Sequence, residues 1–252
     1  AKAAGYECVE LCSFKGYAKQ GFGPLADMKP PEIRKIIKDA GLTAPSSHFN
    51  YPEFADSAIG QSIEWAHGVG LKYMVLSMAR MAKTMDEWKV NFDLMNKCGE
   101  RVRKAGMIFG YHTHADEWNK INGVMVFDEL LRQVDAKNCV HQLDLFGTFL
   151  AGLDAGDYMS RHPGRFFSLH MKDTKKPAPP PPEQATAAGG RGRGGFPAVL
   201  PVGQGDIDWK AIYAGAKKGG VKLSIVEMEV RPSEDPMAAM KLSADYLRKL
   251  KV

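Results

Sequence analysis

The 252-residue chain has only four cysteines, Cys8, Cys12, Cys98 and Cys139, and they lack the paired CxxC spacing of a structural zinc site, so they read as buried thiols. No stretch approaches the ~20 consecutive apolar residues of a membrane helix, which argues against a membrane partner. The start, Ala1-Lys2-Ala3-Ala4-Gly5, lacks the charged-then-apolar order of a secretion signal. It reads as the tail of a helix, which leaves the compartment open. The cytoplasm is the default, and the periplasm or exterior is the alternative if an upstream leader has been removed. There is no long basic run either: a net charge of +5 suits an anionic substrate but lacks the concentrated patch of a nucleic-acid binder. Also missing is a glycine-rich phosphate fingerprint after the first apolar run, which ends at Cys12, and this counts against an open doubly wound sheet.

What is present is ordinary globular material, 44% hydrophobic and 25% charged, enough for one substantial core. Residues 1–252 therefore form a single domain. Seven apolar runs of strand length alternate with helical periodicity, at Tyr6–Cys12, Leu42–Ser47, Lys72–Met78, Met107–His112, Cys139–Asp144, Phe166–Met171 and Lys222–Met228. Helices are announced by Pro30-Pro31 before Glu32–Ala40, by Asp86 ahead of a run to Ala105, and by Asp235-Pro236 ahead of a final run to Leu250. Glycines at 41, 70, 106 and 220 stand where left-handed C-caps are expected. This order predicts an α/β fold, a (β/α)8 TIM barrel whose strand 1 precedes the numbered chain. The low-complexity segment Pro177–Gly195, with four prolines at Pro179–Pro182 and Arg191 and Arg193 among glycines, reads as a flexible insertion loop on the catalytic face.

Chemistry concentrates at the ends of these runs. The strand period of two places His112 and His114 on one side, and Asp144, His170 and Glu227 each close an apolar run. In a barrel such ends converge on one mouth, where two imidazoles and two carboxylates suit one divalent ion of Mn2+, Zn2+, Co2+ or Mg2+. A single histidine at a strand end is more commonly a hydrogen-bonded structural residue, so the weight lies in the convergence. Carboxylates buried there are costly without a cation or a donor.

Six segments carry a resemblance to a known family: Gly5 to Leu11, Gly110 to His114, Gln142-Leu143-Asp144, Ser168 to Asp173, Val202 to Trp209, and Val226 to Glu229. Together, from Gly5 to Leu250, the chain resembles the xylose-isomerase-like barrels, a group that includes sugar phosphate isomerases and epimerases, inosose dehydratase and keto-sugar epimerases. The resemblance implies a divalent ion held by Glu, Asp, His and Glu. It maps Asp144, His170 and Glu227 onto the last three, and His112 replaces the first glutamate. The family's paired glutamate acid and base are therefore incomplete, since only Glu227 remains. Glu227, His114 and Lys172 are the expected catalytic groups, and Glu10, His48, Glu117 and Trp118 the expected substrate contacts. Tyr111, Phe146 and Trp209 can also face a sugar, although aromatic residues near strand ends more commonly fill the core.

The expected reaction is metal-dependent isomerisation or epimerisation of a small-molecule keto-sugar or sugar derivative, by proton abstraction beside a carbonyl polarised by the ion. Loss of the first glutamate keeps a metal-dependent lyase, a dehydratase or 3-keto-glycoside eliminase, as the alternative. Two other classes are an apurinic-site endonuclease, whose trinuclear zinc centre needs more His and Asp ligands than are found, and a non-catalytic sugar-binding barrel. The family resemblance leaves a homo-oligomer open.

Overall fold

The computed structural model describes residues 1–176, 198–228 and 235–251. Its frame is a parallel sheet of seven strands in the order β1 (Cys8–Cys12), β2 (Thr43–Phe49), β3 (Tyr73–Leu76), β4 (Ile108–His112), β7 (Val140–Asp144), β8 (Phe166–Met171) and β9 (Leu223–Val226). The missing numbers are a small antiparallel hairpin, β5 (Lys120–Ile121) and β6 (Val124–Met125). Every neighbouring pair in the large sheet is parallel, and the sheet curls into a nearly closed TIM barrel with β1 and β9 at the two ends of the order. All seven runs expected from the sequence are strands, with ends that differ by no more than two residues; β2 runs on two residues past Ser47 to Phe49, and β8 keeps its expected bounds.

The helices are α1 (Pro30–Asp39), α2 (Ile59–Val69), α3 (Met85–Lys104), α4 (Val126–Gln133), α5 (Leu145–Leu150), α6 (Ala155–Arg161), α7 (Trp209–Gly219) and α8 (Pro236–Lys249). Their starts follow local chemistry. Thr84 and Glu87 form a reciprocal capping box on α3, and Asp208 and Asp235 cap α7 and α8 through their carboxylates. At Gly70 the chain turns out of α2 with φ of 88°, a conformation in which a Cβ is strained. Among the described residues no helix is long and apolar enough to cross a membrane.

Two cores follow from strand alternation. The larger lies between sheet and helices and contains Phe54, Met74, Phe92, Phe109, Phe127 and Trp209. The smaller closes the barrel interior at the N-terminal strand ends, where Tyr73 stacks on Phe167 at 4.3 Å with Val75 beside them and Val140 and Leu223 packed around. Gly110 makes room for this plug, since a Cβ there would sit 2.9 Å from the Phe167 ring. Burying a side chain the size of Phe167 contributes about 1.5–3 kcal/mol.

Beyond β8, the buried Asp173 ties down the chain that returns to α7. Its carboxylate accepts from Trp209 Nε1 at 2.8 Å and from the Gly203 N–H at 2.7 Å, and its backbone bridges Leu200. The insertion expected at Pro177–Gly195, with Arg191 and Arg193, lies outside the described residues.

Candidate metal centre and active-site cleft

The C-terminal strand ends carry a layered polar network. At its base, one pleat below the ends of β1 and β2, Glu10 pairs in register with Ser46 and accepts its hydroxyl at 2.6 Å. Gln142 of β7 donates its amide to Glu10 Oε1 at 2.9 Å and to Ser168 Oγ at 3.3 Å. With the amide nitrogen so used, Gln142 Oε1 is left as an acceptor. It receives His48 Nε2 at 2.7 Å and His112 Nδ1 at 2.9 Å. The proton of His112 is thereby placed on Nδ1, and its bare Nε2 faces Asp144 Oδ2 at 3.9 Å.

Asp144 divides its oxygens between two tasks. Oδ1 caps α5 through the Gly147 N–H at 2.7 Å, while Oδ2 faces the mouth. Gly147 permits this approach, because a Cβ there would press to 2.8 Å on the His114 carbonyl oxygen. His170 bonds carboxylates at both ring nitrogens, Glu10 Oε2 at 2.5 Å through Nε2 and Glu227 Oε2 at 2.7 Å through Nδ1. Lys172, two residues further along the same strand direction, places Nζ 3.2 Å from Asp144 Oδ2 and 2.9 Å from Glu227 Oε2.

Electrostatics follow from burial and these contacts. Burial alone would lower the His170 pKa, but Glu10 and Glu227 outweigh it and raise it to about 10. Burial likewise works to raise Glu10, yet the His48 and His170 imidazoles and the bonds from His170 and Ser46 bring it down to about 2. Glu227 is driven the same way, against burial, by His170 and Lys172, and is held ionised. Burial, reinforced by neighbouring positive charge, drives His112 well below its ordinary value, and burial lowers His48 too. Both are neutral, the state in which imidazole is a ligand.

The donor set fits a divalent cation. Donor atoms of Asp144, His170 and Glu227 lie within 4.8 Å of one another, as do those of His48, His112 and His170. The two groups share His170, and His112 reaches Asp144 across them. The ammonium of Lys172 stands between two of the carboxylates, so the position already accommodates positive charge. The four strand-end residues expected to hold the ion, His112, Asp144, His170 and Glu227, are thus brought to one place.

The other expected residues separate. His114 sits at the mouth with its ring 4.7 Å from that of His112, and with Asp144 and Lys172 it lines a cleft of about 980 Å³. Glu10 and His48, expected on substrate hydroxyls, instead belong to the hydrogen-bonded base under the cluster. Glu117 reaches the cleft wall but is buried, bonded to the Tyr111 hydroxyl and to the His114 N–H at 2.9 Å. Its carboxylate fixes the loop after β4, and burial raises its pKa. Trp118 is a correction: its ring packs against Phe127 at 4.7 Å and Tyr158 at 5.5 Å in the sheet–helix core, because the short turn at Asp116–Trp118 rotates it away from the mouth. Tyr111 and Trp209 are likewise buried, whereas Phe146 lines the cleft. Sequence pattern alone points neither to Gln142 nor to the place of Glu10 beneath the cluster. The polar Gln142 inside the apolar run before Asp144 was the one available sign.

Comparison with known proteins agrees with this architecture. The sequence matches the family described as xylose isomerase-like TIM barrel over residues 1–250. No match to a curated protein sequence is found. A sugar phosphate isomerase/epimerase from Parabacteroides distasonis superposes with a TM-score of 0.76 at 24% identity, covering 99% of this chain and 89% of that one. The IOLI protein, in a structure with a bound zinc atom, gives 0.70 at 17%, covering 98% and 88%. A 3-keto-D-glucoside 4-epimerase from E. coli gives 0.68 at 16%, covering 99% and 91%.

Proposed function

The chain belongs to the xylose isomerase-like TIM barrel family, and from that premise we propose that it is a divalent-metal-dependent isomerase or epimerase of a keto-sugar or sugar derivative. The observation that carries this reading is the shared acceptor on Gln142, which leaves His112 Nε2 bare and turned toward Asp144 Oδ2. A neutral imidazole that donates from Nδ1 offers Nε2 as a ligand, and here that nitrogen is turned into the group of carboxylate and imidazole donors. The zinc in the IOLI structure supports a metal on this fold.

His112, Asp144, His170 and Glu227 hold the ion, whose chemistry when bound is Lewis-acid stabilisation of negative charge developing on a substrate oxygen. Glu10 accepts the outer N–H of His170 and orients the ring. Glu227, ionised by its neighbours, serves better as a ligand than as a base. Proton removal then falls to His114, at the mouth within the cleft, and the Lys172 ammonium supplies the opposing acid. His114 takes the proton from the carbon beside the carbonyl, and the released electron pair moves into a carbon–carbon double bond as the carbonyl oxygen gains charge. Return of a proton to the other face of that carbon epimerises the sugar, and return to the neighbouring carbon isomerises it. Departure of a substituent from the next carbon would instead make the enzyme a lyase. The absence of a second free glutamate among the described cleft residues keeps that alternative in view.

Metal analysis joined to solvent-deuterium exchange tests the proposal. One divalent ion per chain is expected, with deuterium entering the carbon beside the carbonyl and exchange abolished by chelation. Full exchange in the chelated protein would overturn it, and release of water or an aglycone would move the assignment to a lyase.

A further inference from the structure

The cleft beside the ligand cluster has two unlike walls. The inner wall is polar, with His114, Asp144 and Lys172. The outer wall presents the apolar side chains of Met78, Met81, Phe146 and Val199, with Arg80 and Lys83 on the same segment as the methionines. Met78 is 56% exposed and Met81 81% exposed, both on the segment between β3 and α3. That segment is built, because the side chain of the buried Asn91 accepts the Arg80 N–H at 3.1 Å and donates to the Arg80 carbonyl at 2.9 Å. Two methionines are therefore held out into water on either side of a clamped residue.

We infer that the outer wall is a subsite for an apolar, ring-sized substituent, so that the substrate is a keto-glycoside carrying an aromatic aglycone rather than a free keto-sugar. The inference rests on the function proposed above and specifies its substrate. Size is the first argument: about 980 Å³ lies at the upper end of the roughly 300–1,000 Å³ that drug-sized ligands occupy, and one sugar ring fills only part of it. Chemistry is the second. Hydroxyls set directly against the thioether and phenyl surface lose water without gaining partners, so at the Met78, Met81 and Phe146 side chains a second sugar is served less well than an apolar ring. An aromatic ring instead gains apolar burial and sulfur contacts from unbranched side chains that adapt to its outline.

The test uses the intact protein with the 4-nitrophenyl and methyl forms of one keto-glycoside, followed by solvent-deuterium exchange. The aryl form is expected to lead by tenfold or more in kcat/KM, mainly through KM. The double substitution Met78→Ser with Met81→Ser, at exposed positions, is expected to shrink that aryl-over-methyl ratio about tenfold with an unchanged melting temperature. Equal rates on the two forms, or a ratio untouched by the substitutions, would overturn the subsite while leaving the isomerase reading intact. So would a preference for a phosphorylated keto-sugar, read by Arg80 and Lys83 on the same cleft. If no keto-sugar exchanges at all, the parent reading fails. Calorimetric binding of the 4-nitrophenyl glycoside to wild type and variant then decides the subsite alone, with equal binding counting against it.

Discussion

The same strands end differently at the two openings of the barrel. At the N-terminal end Tyr73, Val75 and Phe167 make a dry plug against Val140 and Leu223. At the C-terminal end, only a few residues along, the inward positions are His48, His112, Asp144 and His170 over Glu10 and Gln142. The plug stabilises the fold by excluding water, and the mouth gathers charges whose burial opposes folding unless they are paired. Stability and chemistry are thus separated along the strand axis, as this architecture permits.

That separation is open to direct attack. The largest effect is expected from Asp144→Asn, which keeps an oxygen to cap α5 but removes the ligand charge: turnover should fall roughly a thousandfold while the urea midpoint barely moves. The mirror experiment is Phe167→Ala in the plug, which should cost about 3–5 kcal/mol in urea unfolding while turnover of the folded fraction stays within a few-fold of wild type. If each variant harmed stability and turnover alike, the two ends would be one cooperative unit. Smaller and more selective is Gln142→Met, which removes the acceptor shared by two imidazoles. Metal affinity measured calorimetrically should weaken about 10–100-fold.

The separation can also be probed by pH. In metal-free protein the folded His170 holds its proton to about pH 10, against 6.5 as its ordinary value. Its contribution to stability is therefore complete below pH 6.5 and is lost as pH rises from there through about 10. Glu10, held down to about 2, works in the other direction, and its contribution is lost only as pH falls from its ordinary value of 4.5 towards 2. Thermal melts of the apo protein across this range should show a decline on the alkaline side that His170→Gln removes.

Much of this division could be read in the sequence. Asp144, His170 and Glu227 are polar residues closing apolar runs, and a parallel sheet brings such ends together whatever the details of packing. The barrel itself followed from alternating periodicities. The bond of Glu10 to His170 is not legible in the sequence, because the two lie 160 residues apart and are joined only by strand order and register. Gln142 needed the same information. The direction of Trp118 is not legible either, because the turn at Asp116–Trp118 takes the chain out of strand alternation.

The Gln142 amide has a wider consequence. Since its oxygen takes an N–H from each of two rings, His48 and His112 are each held in one tautomer, because a ring that moved its proton to the other nitrogen would set a lone pair against the amide oxygen. Nitrogen chemical shifts should then report one frozen arrangement rather than an average of several. A cation arriving at this mouth would meet a lone pair already in waiting on His112, and the one proton it would have to displace is that of His170 Nδ1.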